Sequence, residues 1–163
     1  TLGKTFREFI RDAGVDVLSF GGTKNGMMFG EAIVFFHPDL AENFKYIRKQ
    51  GMQLHSKMRF ISAQFEALLT NDLWKRNAGF TNRLARLLES ELKKIDGIRI
   101  TQKVEANGVF AIFPRHVIAP LQKHFPFYVW NEKTNEVRLM CSWDTTEAEI
   151  EGFVRKIKDL NPL

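Results

Sequence analysis

Cysteine is nearly absent from this chain: among 163 residues Cys141 stands alone. An internal disulfide framework is therefore excluded, and the usage fits a reducing compartment, for which we expect the cytoplasm. No apolar run approaches the roughly 20 residues that would cross a bilayer, and no signal-peptide pattern opens the sequence, so no membrane partner is expected. Two tyrosines against fifteen phenylalanines point to apolar packing with few aromatic hydroxyls in need of partners. There is no internal repeat and no low-complexity linker. Nor is there a dominance of one charge. The 24 basic and 19 acidic residues leave a net +5, but the two signs are interleaved almost everywhere. Basic residues and aromatics do not alternate along any strand as a base-stacking surface requires. A small basic nucleic-acid-binding module is thus a remote alternative. Position 1 is threonine and not methionine, and we expect a partial polypeptide.

What is present is ordinary for a folded protein: 44% hydrophobic and 26% charged residues. Leu2, Phe6, Phe9, Ile10 and Ala13 recur at helical spacing, predicting an amphipathic helix over 2–13 that ends at Gly14. Two apolar runs follow, one with Val15, Val17, Leu18 and Phe20 and one over 32–36, and both read as short buried strands. His37-Pro38-Asp39 stops the second and opens a helix over 39–50, with Leu40, Phe44 and Ile47 on one side. A periodic segment over 58–69 and a long helix over 72–94 come next, separated by Asn71-Asp72 as a capping pair. Past Asp96-Gly97 the period changes to alternation. Strands are expected near 98–102, over the wholly apolar 109–113 with both faces covered, and over 125–130 and 136–142, the last two joined by a turn at 132–135. A helix lies over 114–124. The final helix is announced by a capping box, Thr146 with Glu149 three residues on, followed by Ile150, Phe153, Val154 and Ile157. The fold class is α/β passing into α+β: two strands among helices, a long connecting helix, and a small unit with a mainly antiparallel sheet.

Three places carry chemistry. Between the first two strands lies Ser19-Phe20-Gly21-Gly22-Thr23-Lys24-Asn25-Gly26, then Gly30. Four glycines mark a backbone that takes positive φ or closely approaches a ligand. A lysine at the end of a buried strand can act as a nucleophile toward carbonyls; a solvated lysine on a glycine-rich turn is the plain alternative. His55, Lys57 and Arg59 form a basic cluster ahead of the 58–69 segment, either a solvated helix start or an anion site. In the strand from Glu136, alternation sets Val137, Leu139 and Cys141 on one face and Arg138, Met140 and Ser142 on the other. Arg138 is either exposed on an open sheet face or waiting for a carboxylate, which its planar fork matches with two hydrogen bonds.

Together these stretches resemble the low-specificity L-threonine aldolase family, in the branch with a Gly-Gly-Thr-Lys-Asn-Gly loop. The resemblance runs through Gly30-Glu31-Ala32-Ile33-Val34-Phe35-Phe36, continues at Lys57-Met58-Arg59 and ends in the Glu136-Val137-Arg138-Leu139 strand and its closing helix. It implies a fold-type-I enzyme dependent on pyridoxal phosphate, related to aspartate aminotransferase. Lys24 would match the lysine that attaches the cofactor, Arg59 the arginine near its phosphate, and Arg138 the arginine that binds the substrate carboxylate. Thr23 and Asn25 would shape the loop. No metal ligands are implied. The reaction would be retro-aldol cleavage of a threonine-like β-hydroxy-α-amino acid to glycine and an aldehyde. An aminotransferase or β-eliminating lyase is the alternative within the same fold, because the same lysine and arginine serve those reactions.

The family's ring-stacking histidine, its aspartate for the pyridine nitrogen and its phosphate loop all lie upstream of the lysine, where this chain has only about twenty residues. The resemblance therefore implies the C-terminal half alone. Residues 1–55 would end the large cofactor-binding domain, 56–96 would form connecting helices, and 97–163 the small domain. The polypeptide is expected to be inactive without the upstream half, its partner in the complete enzyme, which is expected to be a homo-dimer or tetramer.

Overall fold

The computed structural model describes residues 2–161. The chain divides into two compact units, Thr1–Trp74 and Lys75–Leu163.

In the first unit a π-helical turn, Arg7–Arg11, replaces the expected helix over 2–13. Its i→i+5 bonds run from Asp12 N to the Arg7 carbonyl and from Val15 N to the Ile10 carbonyl. The start is set by Thr5 and Glu8, which cap one another: Thr5 N donates to the Glu8 carboxylate at 2.7 Å, and Glu8 N to the Thr5 hydroxyl at 3.3 Å. Gly14, at φ +89°, ends it as expected. Strands β1 (Val17–Gly21) and β2 (Glu31–Phe35) pair antiparallel, from Val17 opposite Phe35 to Gly21 opposite Glu31. They are not buried strands. In β1 only alternate residues turn inward, in β2 only Ala32 and Phe35 are half-buried, and Val17, Ile33 and Val34 are exposed. Phe20 packs with Phe6 and Phe65, and Phe6 lies 4.4 Å from Trp74 between ring centres.

The expected helix over 39–50 is broken into a 3-10 turn, Pro38–Ala41, and α1 (Phe44–Gln50), with Leu40 and Ile47 exposed. Helix α2 (Met58–Leu69) buries Ile61 and Leu68. Between it and α3 (Leu73–Leu92), Asn71 and Asp72 take left-handed backbone at φ +51° and +56°. The break thus comes from two residue types that tolerate that region.

The second unit is one antiparallel sheet in the order β3 (Arg99–Ile100), β4 (Gly108–Ile112), β6 (Glu136–Met140), β5 (Tyr128–Asn131). Val109, Ala111, Val137 and Leu139 point to one face. There they join Leu84, Leu88 and Leu92 of α3, Val117 and Leu121 of α4 (Arg115–Gln122), and Ile150, Phe153 and Ile157 of α5 (Glu147–Leu160) in one core. Against the expectation for 109–113, only this face of β4 is fully covered: Gly108, Phe110 and Ile112 are half-buried on the other. Thr146 caps α5 reciprocally with Glu149, as its sequence requires. Among the described residues no helix is long and apolar enough to cross a membrane.

Candidate active site

The nine residues joining β1 to β2 are shaped by their own backbone and by α2. Gly22 leads into a 3-10 turn, Thr23–Asn25, and its carbonyl accepts from both Asn25 N (2.9 Å) and Met27 N (3.2 Å). Gly26 closes the turn at φ +108°. Met27 is buried beneath it, and a Cβ on Gly22 would run into the Met27 sulfur and lie 3.1 Å from Leu68 of α2. Gly30 returns the chain to β2 at φ +135°, where a Cβ would stand 2.9 Å from the Ile61 side chain. Two further contacts fasten the loop to the same region: Met28 N donates to Gln64 Oε1 at 2.9 Å, and the Phe29 ring lies 5.5 Å from His55. The glycines are thus accounted for by tight packing and by left-handed backbone.

Lys24 sits in the middle of the turn with an exposed side chain, and among the described residues it makes no hydrogen bond or ion pair. Its neighbour Asn25 is anchored, the side-chain amide donating to the Trp74 carbonyl at 3.1 Å. The basic cluster ahead of α2 does not act as one group. His55 turns to Phe29, while Arg59, on the second residue of α2, is exposed with its guanidinium 4.9 Å from the Phe60 ring centre. No acidic partner holds Arg59 among the described residues. Lys24 and Arg59 thus each present a cationic group with no carboxylate partner among the described residues.

Arg138 belongs to the second unit. It occupies the uncovered face of the sheet, as alternation predicts, but is half-buried there. Phe110 stands directly across from it on β4 and Tyr128 on β5. Trp130 and Met140 flank it on the same face, and the Arg138 guanidinium lies 5.5 Å from the Trp130 ring centre. Arg138 Nε donates to the Met140 sulfur at 3.3 Å. No carboxylate among the described residues pairs with it. A groove of about 400 Å³ opens beside it, lined by Gln122, Pro126, Phe127, Tyr128 and Met140. This aromatic setting is absent from the sequence expectations. The signal that could have found it is the hairpin at 132–135, which sets β5 against β6 and brings Tyr128 and Trp130 to the face of Arg138. Met140 and Cys141 differ sharply across the pleat: Met140 is exposed, whereas burial pushes the Cys141 thiol up to about 11.

No family model matches the chain. The sequence is 46% identical over 158 residues to a low-specificity L-threonine aldolase of Pseudomonas sp. (strain NCIMB 10558), and 45% identical to the one from Pseudomonas aeruginosa. Each match covers 96% of this chain and 45% of the relative, so the chain spans a little under half the length of these relatives. A solved threonine aldolase from Leishmania major superimposes with a TM-score of 0.79 at 32% identity, covering 90% of this chain and 43% of that one. The architecture is accordingly that of part of a fold-type-I enzyme. Over this stretch the chain is similar to low-specificity L-threonine aldolases, as the Gly-Gly-Thr-Lys-Asn-Gly loop anticipates.

Proposed function

We propose that this chain supplies the lysine-bearing half of a pyridoxal-phosphate-dependent aldolase, and that the complete enzyme cleaves threonine or similar β-hydroxy-α-amino acids to glycine and an aldehyde. The observation that carries the reading is Arg138: a half-buried guanidinium, on a strand inside the matched region, with no carboxylate of its own. Even partial burial of a guanidinium carries a desolvation cost when no anion accompanies it, and an amino-acid carboxylate provides one in the geometry its fork prefers.

The residues of this chain fit the cofactor as far as they reach. Lys24 would hold it through an exposed primary amine on a turn with little side-chain bulk, and Arg59 would take its phosphate. When bound, pyridoxal phosphate supplies an electron sink for breaking the Cα–Cβ bond. Arg138 grips the substrate carboxylate and so fixes the orientation of the Cα substituents, while Thr23 and Asn25 hold the shape of the loop that presents Lys24. The remaining partner is the upstream half of the enzyme, within a homo-oligomer. A cytoplasmic location agrees with the single buried cysteine. In domain terms, 1–55 closes the large domain, 56–96 connects, and 97–163 is the small domain.

The test uses the complete enzyme loaded with pyridoxal phosphate. Wild type shows the visible absorption of lysine-bound cofactor, and Lys24→Ala does not; equal spectra would overturn the lysine assignment. Threonine yields glycine and acetaldehyde. A keto acid in their place would favour an aminotransferase or an eliminating lyase.

A further inference from the structure

We infer that Trp130 is a positioning residue for substrate binding, acting through Arg138; the inference rests on the carboxylate role proposed for that arginine. A lone arginine on an uncovered sheet face has many rotamers, and fixing one of them costs entropy each time a ligand binds. Here the side chain is held from two directions. Met140, two residues along the same strand, accepts from Nε at 3.3 Å. From the neighbouring strand the Trp130 ring faces the guanidinium carbon at 5.5 Å, within reach of a cation–π attraction. Trp130 is in turn set edge-on against Phe110, with ring centres 5.4 Å apart and planes at 80°. Phe110 is the residue directly opposite Arg138 on β4. Register thus places the support for the support beside the arginine itself.

The hydrogen-bond pattern shows what this arrangement is for. The Nε is used by sulfur, a weak acceptor, while the two terminal nitrogens have no partner among the described residues. Those two nitrogens form the fork that takes a carboxylate with parallel hydrogen bonds. Trp130 itself is more than half exposed, so it adds little to the core. Its aromatic face serves to hold the cation in a preorganised state, which lowers the cost of binding.

Steady-state kinetics and calorimetric titration with glycine, both on the complete holoenzyme, test this. Trp130→Ala raises the KM for threonine and the Kd for glycine about tenfold with kcat within about twofold, and Trp130→Phe restores both to within about threefold. In an Arg138→Ala background, Trp130→Ala adds nothing further, because its effect passes through the missing guanidinium. If Arg138→Ala raises KM and Kd but Trp130→Ala leaves them unchanged, the inference fails while the carboxylate role stands. It also fails if Trp130→Ala keeps its full effect without Arg138, since the tryptophan would then act on structure. Wild-type KM and Kd in Arg138→Ala would overturn the carboxylate role, and the inference with it.

Discussion

The side-chain amide of Asn25 donates to the main-chain carbonyl of Trp74 across 49 positions of sequence. The residue after Lys24 is thereby tied to the first turn of α3, where a carbonyl is bound by a side chain from outside the helix. Asn25→Ala removes the donor and is expected to lower stability by about 1–2 kcal/mol. A shift of the urea midpoint with an unchanged slope is the measurement, and an unshifted midpoint would count against the tie.

Gly30 is constrained twice, by φ +135° and by the 2.9 Å gap to the Ile61 side chain that a Cβ would face. Gly30→Ala therefore carries backbone strain together with overpacking, at a cost of about 2–4 kcal/mol. Gly79 in α3 is the control, because a Cβ there meets nothing within 4 Å. Gly79→Ala is expected to be neutral or stabilising by up to about 1 kcal/mol. Thermal melts should show Gly30→Ala well below wild type and Gly79→Ala level with it or above.

The reciprocal cap of α5 is a local and separable contribution. Thr146 accepts from Glu149 N at 3.2 Å and Glu149 returns a bond to Thr146 N at 2.7 Å. Thr146→Ala is expected to cost about 1 kcal/mol, and Thr146→Ser to keep most of it. Equal midpoints for all three proteins in urea would refute the assignment.

Cys141 couples stability to alkaline pH. Burial holds its thiol protonated up to about 11, against an ordinary value of 9.0. Between those values the unfolded chain releases a proton that the folded chain keeps, so stability falls as pH rises from about 9 to about 11 and is level with respect to this group below that window. The difference between wild type and Cys141→Ala isolates the effect from lysine and tyrosine titration. In the folded protein at pH 8 a disulfide reagent should react slowly, and in urea quickly.

Legibility in the sequence followed the range of the interactions concerned. The last helix could be read whole because its cap and apolar stripe lie within fourteen residues. The inward face of β6 could be read because a strand alternates with period two, and Arg138 was correctly assigned to the opposite face. Burial of β1 and β2 could not: an apolar run reports what a strand is able to bury, whereas Val17, Ile33 and Val34 remain exposed. The helix expected from residue 2 was too long because Thr5 and Glu8 place the start later. The aromatic surround of Arg138 is legible only in part: the hairpin at 132–135 brings Tyr128 and Trp130 beside it, whereas Phe110 comes from β4 and depends on a pairing between distant stretches.

Met27 lies beneath the turn that carries Lys24, while its neighbour Met28 is 83% exposed. Under mild peroxide the outer sulfur is the accessible one, and a sulfoxide there changes nothing that the loop depends on. The inner sulfur occupies the space a side chain on Gly22 would need, next to Leu68. An oxygen added to it would have to lift the turn off its bed. Oxidative damage at a thioether beneath the loop would therefore reach the amine of Lys24 by mechanical means.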